Sequence, residues 1–255
     1  MRATDFEFRH RFWFIILSYF IGFMCYRVDH LNMVIALARW VFKGSDPNLD
    51  SPAARHFIQE FFVLSGLLVA AAAGIRTWAG AYLRAEVVFD NNVHSDRLVA
   101  DGPYRHVRNP LYLGNILLAI GIAALASRLG AVVLILGNLI IVLRLIGREE
   151  AALIEGQGDN YRAFLAAVPR LWPSVRPRLP ASGMPPRWAQ AFLGEGHLWA
   201  LALDGFVFAW KLSSGLYYII LGVTAGAYFL FRMAVHRVWQ RKLQNTASEQ
   251  PTPQS

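Results

Sequence analysis

A chain of 255 residues that is 55% hydrophobic and only 16% charged, with a mean hydropathy of +0.35, is too apolar for an ordinary soluble domain, so lipid is the expected solvent for most of it. The formal net charge of +8 comes from cations gathered between apolar runs, the pattern of cytoplasmic loops facing anionic headgroups, and argues against nucleic acid as a partner. The single cysteine, Cys25, lies in an apolar run, which excludes an intramolecular disulfide and a thiolate metal cluster and leaves it a small buried hydrophobe.

In chain order, Arg2, Arg9 and Arg11 precede the apolar stretch Phe12 to Tyr26. It resembles a signal sequence, but no small-x-small cleavage site follows, so it reads as an uncleaved first span. It is shorter than the roughly 20 residues that cross hydrocarbon, and the alternative is continuation through Arg27, Asp29 and His30 into Leu31 to Phe42. Lys43 to His56, with Pro47 and Pro52, makes a loop, and Phe57 to Leu83 a long second span carrying Arg76 and Trp78 near its end. After the loop Arg84 to Asn109, the runs Leu111 to Ala126 and Leu129 to Ile146 are joined only by Ser127 and Arg128, which predicts a tight helical hairpin.

Residues Gly147 to Pro186 are polar and end in a proline-rich stretch, with a helix predicted over Glu149 to Val168 outside the bilayer. Leu198 to Trp210, short for a span and carrying Asp204, and Leu216 to Ala234 form a second apolar pair. Beyond the basic stretch from Arg237, Asn245 to Ser255 reads as a disordered tail. The arginine-rich N-terminus and segments 84–109, 144–187 and 232–242 should share the cytoplasmic side, with Arg39, Lys43 and Arg55 facing the other. No repeat or soluble second domain is visible. The expected fold is an all-α integral membrane protein, a multi-span helical bundle over residues 1–244 with both termini cytoplasmic.

Three polar landmarks interrupt this pattern. The first is GPYRHVRNPLYLG from Gly102 to Gly114, in which Asn109 and Pro110 are residue types that cap and start a helix. Free N–H groups at that helix start, with Arg105, His106 and Arg108 before it, would stabilise an anion. Taken alone, those cations are better read in the commoner role, anchoring a helix end in headgroups. The second is Glu149-Glu150 after an apolar span. Carboxylates at a helix C-terminus oppose the dipole by roughly 0.3–1 kcal/mol each, so either Arg144 and Arg148 compensate them or a cationic ligand does. The third comprises Tyr161-Arg162 and the run Val168-Pro169-Arg170-Leu171-Trp172-Pro173.

Together these landmarks resemble the isoprenylcysteine carboxyl methyltransferase family, membrane enzymes that use S-adenosylmethionine and are related to the phospholipid methyltransferases. The resemblance covers about Gly66 to Pro173. It implies a cytoplasmic-side cofactor pocket built from Gly102, Tyr104, Arg105, Val107, Asn109, Pro110, Tyr112, Gly114, Glu149, Glu150, Tyr161 and Arg162. Within it, Arg108 would orient an anionic group, and Glu150 would sit at the cofactor end with an electrostatic role in catalysis. Asn109 stands where many members have histidine, so the role of that ring does not transfer, although an amide can still hydrogen-bond a cofactor.

The implied activity is methyl transfer to a membrane-resident or amphiphilic acceptor, a carboxylate or an amine, in the bacterial inner membrane or the endoplasmic reticulum. Other readings are an NADPH-dependent membrane reductase of the sterol-reductase type, by analogy of fold, and a lipid-binding protein without catalysis. Gly156-Gln157-Gly158 and Gly194-Glu195-Gly196 follow no predicted strand and read as loop glycines. His56, His94 and His197 lack the partners of a metal site and read as interfacial or loop residues, so no metal is expected. Asp29, Arg76 and Asp204 lie in or beside apolar runs, where pairing, function or a displaced span boundary would explain them.

Overall fold

The computed structural model describes residues 2–83 and 101–212, with residues 215, 219–224, 226–228, 230 and 233 beyond them. Among the described residues the regular structure is helical: α1 (Asp5–Arg9), α2 (Arg11–Met24), α3 (Met33–Val41), α4 (Pro52–Tyr82), α5 (Pro110–Ala123), α6 (Arg128–Gln157), α7 (Asp159–Ala167) and α8 (Trp188–Lys211), with 3-10 turns at Cys25–Arg27 and Gly102–Arg105. The core row runs α8, α4, α5, α6, α2, each helix packed on the next. Small residues set the spacing. Gly205 meets Gly66 between α8 and α4, Gly121 lies under Val69 and Ser65 between α5 and α4, and Gly22 faces Gly130 between α2 and α6. Buried polar links fasten the row: Ser65 Oγ donates to the Gly121 carbonyl at 2.7 Å, and Asn138 Nδ2 to Ser18 Oγ at 2.9 Å.

Among the described residues, two helices are long and apolar enough to cross a membrane, α4 with 31 residues and α6 with 30. At 1.5 Å per residue each is ~45 Å long, against the ~30 Å thickness of a bilayer's hydrocarbon core. Val132, Leu136 and Ile140 of α6 and Val63, Leu64 and Leu67 of α4 are large apolar side chains left exposed on the outside of the row.

Several boundaries differ from the sequence expectation. The first apolar stretch is not continuous with Leu31 to Phe42: α2 spans 14 residues, and the chain then turns through Cys25–Arg27 before α3. Asp29 ties this break to the start of α6, its carboxylate accepting from Arg128 Nη2 at 2.8 Å and from the Leu129 amide at 2.9 Å. Cys25 is half-buried at the break, its thiol donating to the Ile21 carbonyl. The hairpin forms as expected, with α5 ending at Ala123 and Ser127 capping α6 through the Gly130 amide.

The helix expected over Glu149 to Val168 is two elements. Its first part completes α6, and α7 follows only after Gly158, whose φ of +56° breaks the run. α8 starts ten residues before Leu198 and contains Gly194-Glu195-Gly196, so those glycines and His197 are helical, as are Gly156 at the end of α6 and His56 in the first turns of α4. The stretch Leu216 to Ala234 is helical at the described positions 219–224 and 226–228, while His94, most of the loop 84–109 and the tail from Arg237 lie outside the described residues.

Candidate functional site

One end of the row gathers the C-terminus of α4, the N-termini of α5 and α8 and the last turns of α6. The Gly102–Arg105 turn starts there under a geometric constraint: Gly102 has φ +57°, and a Cβ at that position would collide with the Tyr82 ring. Asp101, 3% exposed, accepts from the Ser182 hydroxyl, from the Ser182 amide at 2.9 Å and from the Met184 amide at 3.0 Å. These bonds, the Ser182 hydroxyl first, hold its carboxyl below the usual range. They also tie the proline-rich segment 168–187 along the loop as a strap. The Arg108 amide donates to the Pro169 carbonyl, the Ser174 amide to His106, the Arg178 amide to Arg105, and the Arg187 amide to Ala81 at the end of α4.

The strap changes the reading of the loop cations. Arg105 Nε donates to the Leu179 carbonyl at 2.7 Å, and the His106 ring bonds the Ser174 carbonyl at 2.8 Å, so both hold protein backbone rather than await an anion. Val107 is buried beneath them. Arg108 alone reaches a carboxylate, with Nη2 3.3 Å from Glu150 and Nη1 donating to the Leu165 carbonyl at 2.7 Å. Pro110 opens α5 as expected, but Asn109 does not cap it with its side chain. Its Nδ2 donates instead to the Arg170 carbonyl at 3.2 Å and, at 3.5 Å, to Glu150 Oε1.

The paired glutamates sit two turns inside α6, not at its end, so the dipole penalty expected for them does not arise. Adjacent helical residues point about 100° apart, and the pair divides. Glu149 turns towards α5 and accepts the Tyr112 hydroxyl at 2.7 Å. Glu150 turns towards the strap, where Arg170 Nη2 meets Oε2 at 2.7 Å beside the Arg108 and Asn109 contacts on Oε1. Arg144 and Arg148 compensate neither, because they pair with Glu7 and Asp5 of α1.

Glu150 also lines an open cavity of about 420 Å³, within the ~300–1,000 Å³ range of small-ligand sites. The rest of the wall is a stripe of α6 (Leu143, Gly147, Ala151 and Ile154) together with Arg2 and Arg170. Among the residues expected from sequence, Glu150 alone lines this cavity; Arg108 and Asn109 touch it through Glu150, and Tyr112 and Glu149 form a pair behind it. Tyr161 is buried against Phe164, and burial first, then the Glu150 charge, holds its phenol well above the usual range. Tyr104, also buried, is raised by burial and by Glu149. Both therefore stay neutral donors. Arg162 turns outward to exposed Asp159 at 2.7 Å and is not brought to the cavity.

Sequence reasoning missed Arg2 and the Leu143–Ile154 stripe, although the i, i+4, i+7, i+8 and i+11 spacing was legible, and gave Arg170 no role. It also missed the partners of Arg76. That guanidinium is bidentate to Glu195 of α8 (2.8 and 3.0 Å) and donates to Asn115 Oδ1 of α5 at 2.6 Å. Gly114 makes room for it: a Cβ there would strike the Arg76 side chain. Asp204 likewise is paired, accepting the Thr224 hydroxyl at 2.7 Å.

The residues present, the guanidiniums of Arg2 and Arg170 and the carboxylate of Glu150, fit a zwitterionic ligand. A carboxylate fixed by cations lines the cavity, and the buried Arg108 Nε beside it has no partner within the protein. Among the described residues, no three His, Cys, Asp or Glu side chains cluster as a metal site would require. Residues 61–159 match the family model described as phospholipid methyltransferase, the family to which the motif resemblance points. The match takes in the loop from Gly102, α5 and both glutamates, and stops just short of Tyr161, Arg162 and the strap. No curated protein and no solved structure matches the chain.

Proposed function

From the match of residues 61–159 to the phospholipid methyltransferase family model, we propose that the chain transfers a methyl group from S-adenosylmethionine to a membrane-resident or amphiphilic acceptor, a carboxylate or an amine. The observation that carries the reading is Glu150: an acidic side chain on a cavity wall, steered there by Arg108, Asn109 and Arg170. When bound, the donor supplies an activated methyl group with its leaving group built in. The protein then needs to align and to shape charge, and no protein nucleophile is required.

In this reading Glu150 presents negative charge to the cationic part of the ligand. Arg170 and Arg108 fix its rotamer, so no reorientation is needed on binding. Tyr112 and Glu149, one helical position back, hold α5 to α6 so that the wall keeps its shape. The strap positions Arg170 through Pro169 and Asn109 and screens the carboxylate from bulk water.

The same reading makes the chain a multi-span integral membrane protein with this end of the row at the cytoplasmic interface. Support comes from the excess of cations at the site end, where Arg2, Arg11, Arg105, Arg108, Arg144, Arg148, Arg170, Arg178 and Arg187 gather, over the other end, which carries Arg27, Arg39, Lys43, Arg55, Arg128 and Lys211. The test is turnover by protein in nanodiscs that contain phosphatidylethanolamine and a prenylcysteine, with methyl-labelled S-adenosylmethionine. Label entering either acceptor supports the reading and chooses the acceptor; label entering neither, with NADPH bound instead, contradicts it.

A further inference from the structure

The N-terminal residues carry no part of the family match, which begins at residue 61, yet they are built into the site. Ala3 and Phe8 are buried in one apolar cluster with Leu145, and Tyr112, the partner of Glu149, packs against it. Four separate bonds pin the segment to α6. The Ala3 amide donates to the Arg144 carbonyl at 3.0 Å, Arg148 Nη1 reaches the Ala3 carbonyl at 3.4 Å, Glu7 pairs with Arg144 at 2.7 Å, and Asp5 pairs with Arg148. A reciprocal capping box between Thr4 and Glu7 starts α1, and the Arg148 guanidinium lies 5.2 Å from the Phe8 ring. This anchoring fixes the segment against α6. It leaves Arg2 on the cavity wall across from Glu150 and Arg170.

We propose that residues 2–8 form a fixed wall of the ligand site, with Arg2 supplying a cation to the ligand's anionic group while Glu150 takes its cationic group. This rests on the methyltransferase reading for the identity of the ligand, not for the wall. Two guanidiniums and a carboxylate around one cavity are matched by a ligand that carries both signs. The anion is a carboxylate if it belongs to the methyl donor and a phosphate if it belongs to a lipid headgroup.

The test uses the full chain in nanodiscs, with S-adenosylmethionine and glycerophosphoethanolamine as separate probes, and Arg2→Ala and Arg2→Lys as variants. Arg2→Ala should weaken one probe by about fivefold or more, with most of the loss restored by lysine, and the probe affected names the source of the anion. Unchanged affinity for both probes in Arg2→Ala, where the parent binds either, overturns the assignment of Arg2. Hydrogen exchange is the ligand-independent arm. The amides of Ala3, Thr4, Glu7 and Phe8 should be protected in the parent and lose that protection in the Asp5→Asn/Glu7→Gln double variant. Exchange in the parent as fast as in a free peptide would overturn the wall itself, whereas protected amides in a parent that binds neither probe would uphold the wall and contradict the methyltransferase reading.

Discussion

The two ends of the helix row solve the same physical problem in opposite ways. At the end remote from the cavity, polar groups are consumed in closing connections. Asn32 accepts from the Val34 and Ile35 amides and donates to the Tyr26 hydroxyl and the Ala124 and Ala126 carbonyls, all within 3.2 Å, so both ends of its amide are satisfied. Asp29 does the same for the start of α6. At the other end, the strap and Arg108, Asn109 and Arg170 converge on Glu150, and the carboxylate is held against an open cavity. Polar groups are bonded at both ends, and the difference is that one of them, Glu150, also faces a cavity, the end that we propose binds the ligand.

The largest effect concerns the Arg76–Glu195 pair, which lies towards the site end but does not line the cavity. Removing Arg76 by Arg76→Ala leaves Glu195, whose side chain is 9% exposed, as an uncompensated buried charge, expected to cost about 3–5 kcal/mol. The protein should then lose its helical unfolding transition in detergent, while the double variant Arg76→Met/Glu195→Leu recovers it. Equal damage in both would mean that the pair is not structural. Next, Asn32→Ala should cost about 2–3 kcal/mol, from a lost helix cap and the loss of the side-chain donor to the Ala124 carbonyl, and should leave ligand affinity unchanged in binding assays at a temperature where the variant is folded.

Tyr112→Phe probes the site end more gently. It removes the hydroxyl that Glu149 accepts and should lower stability by about 1–2 kcal/mol with a smaller effect on binding, measured by denaturation and by ligand titration. The smallest effect is that of pH on the remote end. Arg128, the Leu129 amide and the Leu31 amide hold the Asp29 carboxyl at about 2, below its ordinary value. A depressed folded pKa stabilises above the unfolded pKa and loses that contribution as pH falls towards the folded value. The melting temperature should therefore be insensitive to Asp29→Asn below pH 2 and differ from that variant above pH 4.

The sequence made the long helices legible because their apolar runs are uninterrupted, and the loop at Gly102 legible because its residue types are those of a turn followed by a helix start. The position of the double glutamate was legible too, but its division was not. Only the continuation of α6 to Gln157 shows that Glu149 and Glu150 face different neighbours. Arg170 escaped notice because its partner lies twenty residues away across a strap that has no periodicity to read. Arg2 escaped for a related reason: a basic N-terminus before an apolar run reads as a topology signal, and pairing with α6 is a tertiary fact. Asn109 shows the opposite failure, since local propensity assigned it a cap that the pull of Glu150 and the strap overrode.

The central claim is that Glu150 is held for a ligand rather than for the fold. Equilibrium binding of radiolabelled S-adenosylmethionine to the purified protein in nanodiscs, with NADPH as competitor, tests it directly when repeated with Glu150→Gln. The account expects saturable binding by the parent, no displacement by NADPH, and a loss of affinity of about tenfold or more in the variant, roughly 1.4 kcal/mol, with the unfolding transition retained. Equal affinity in parent and variant, or displacement by NADPH, would contradict it.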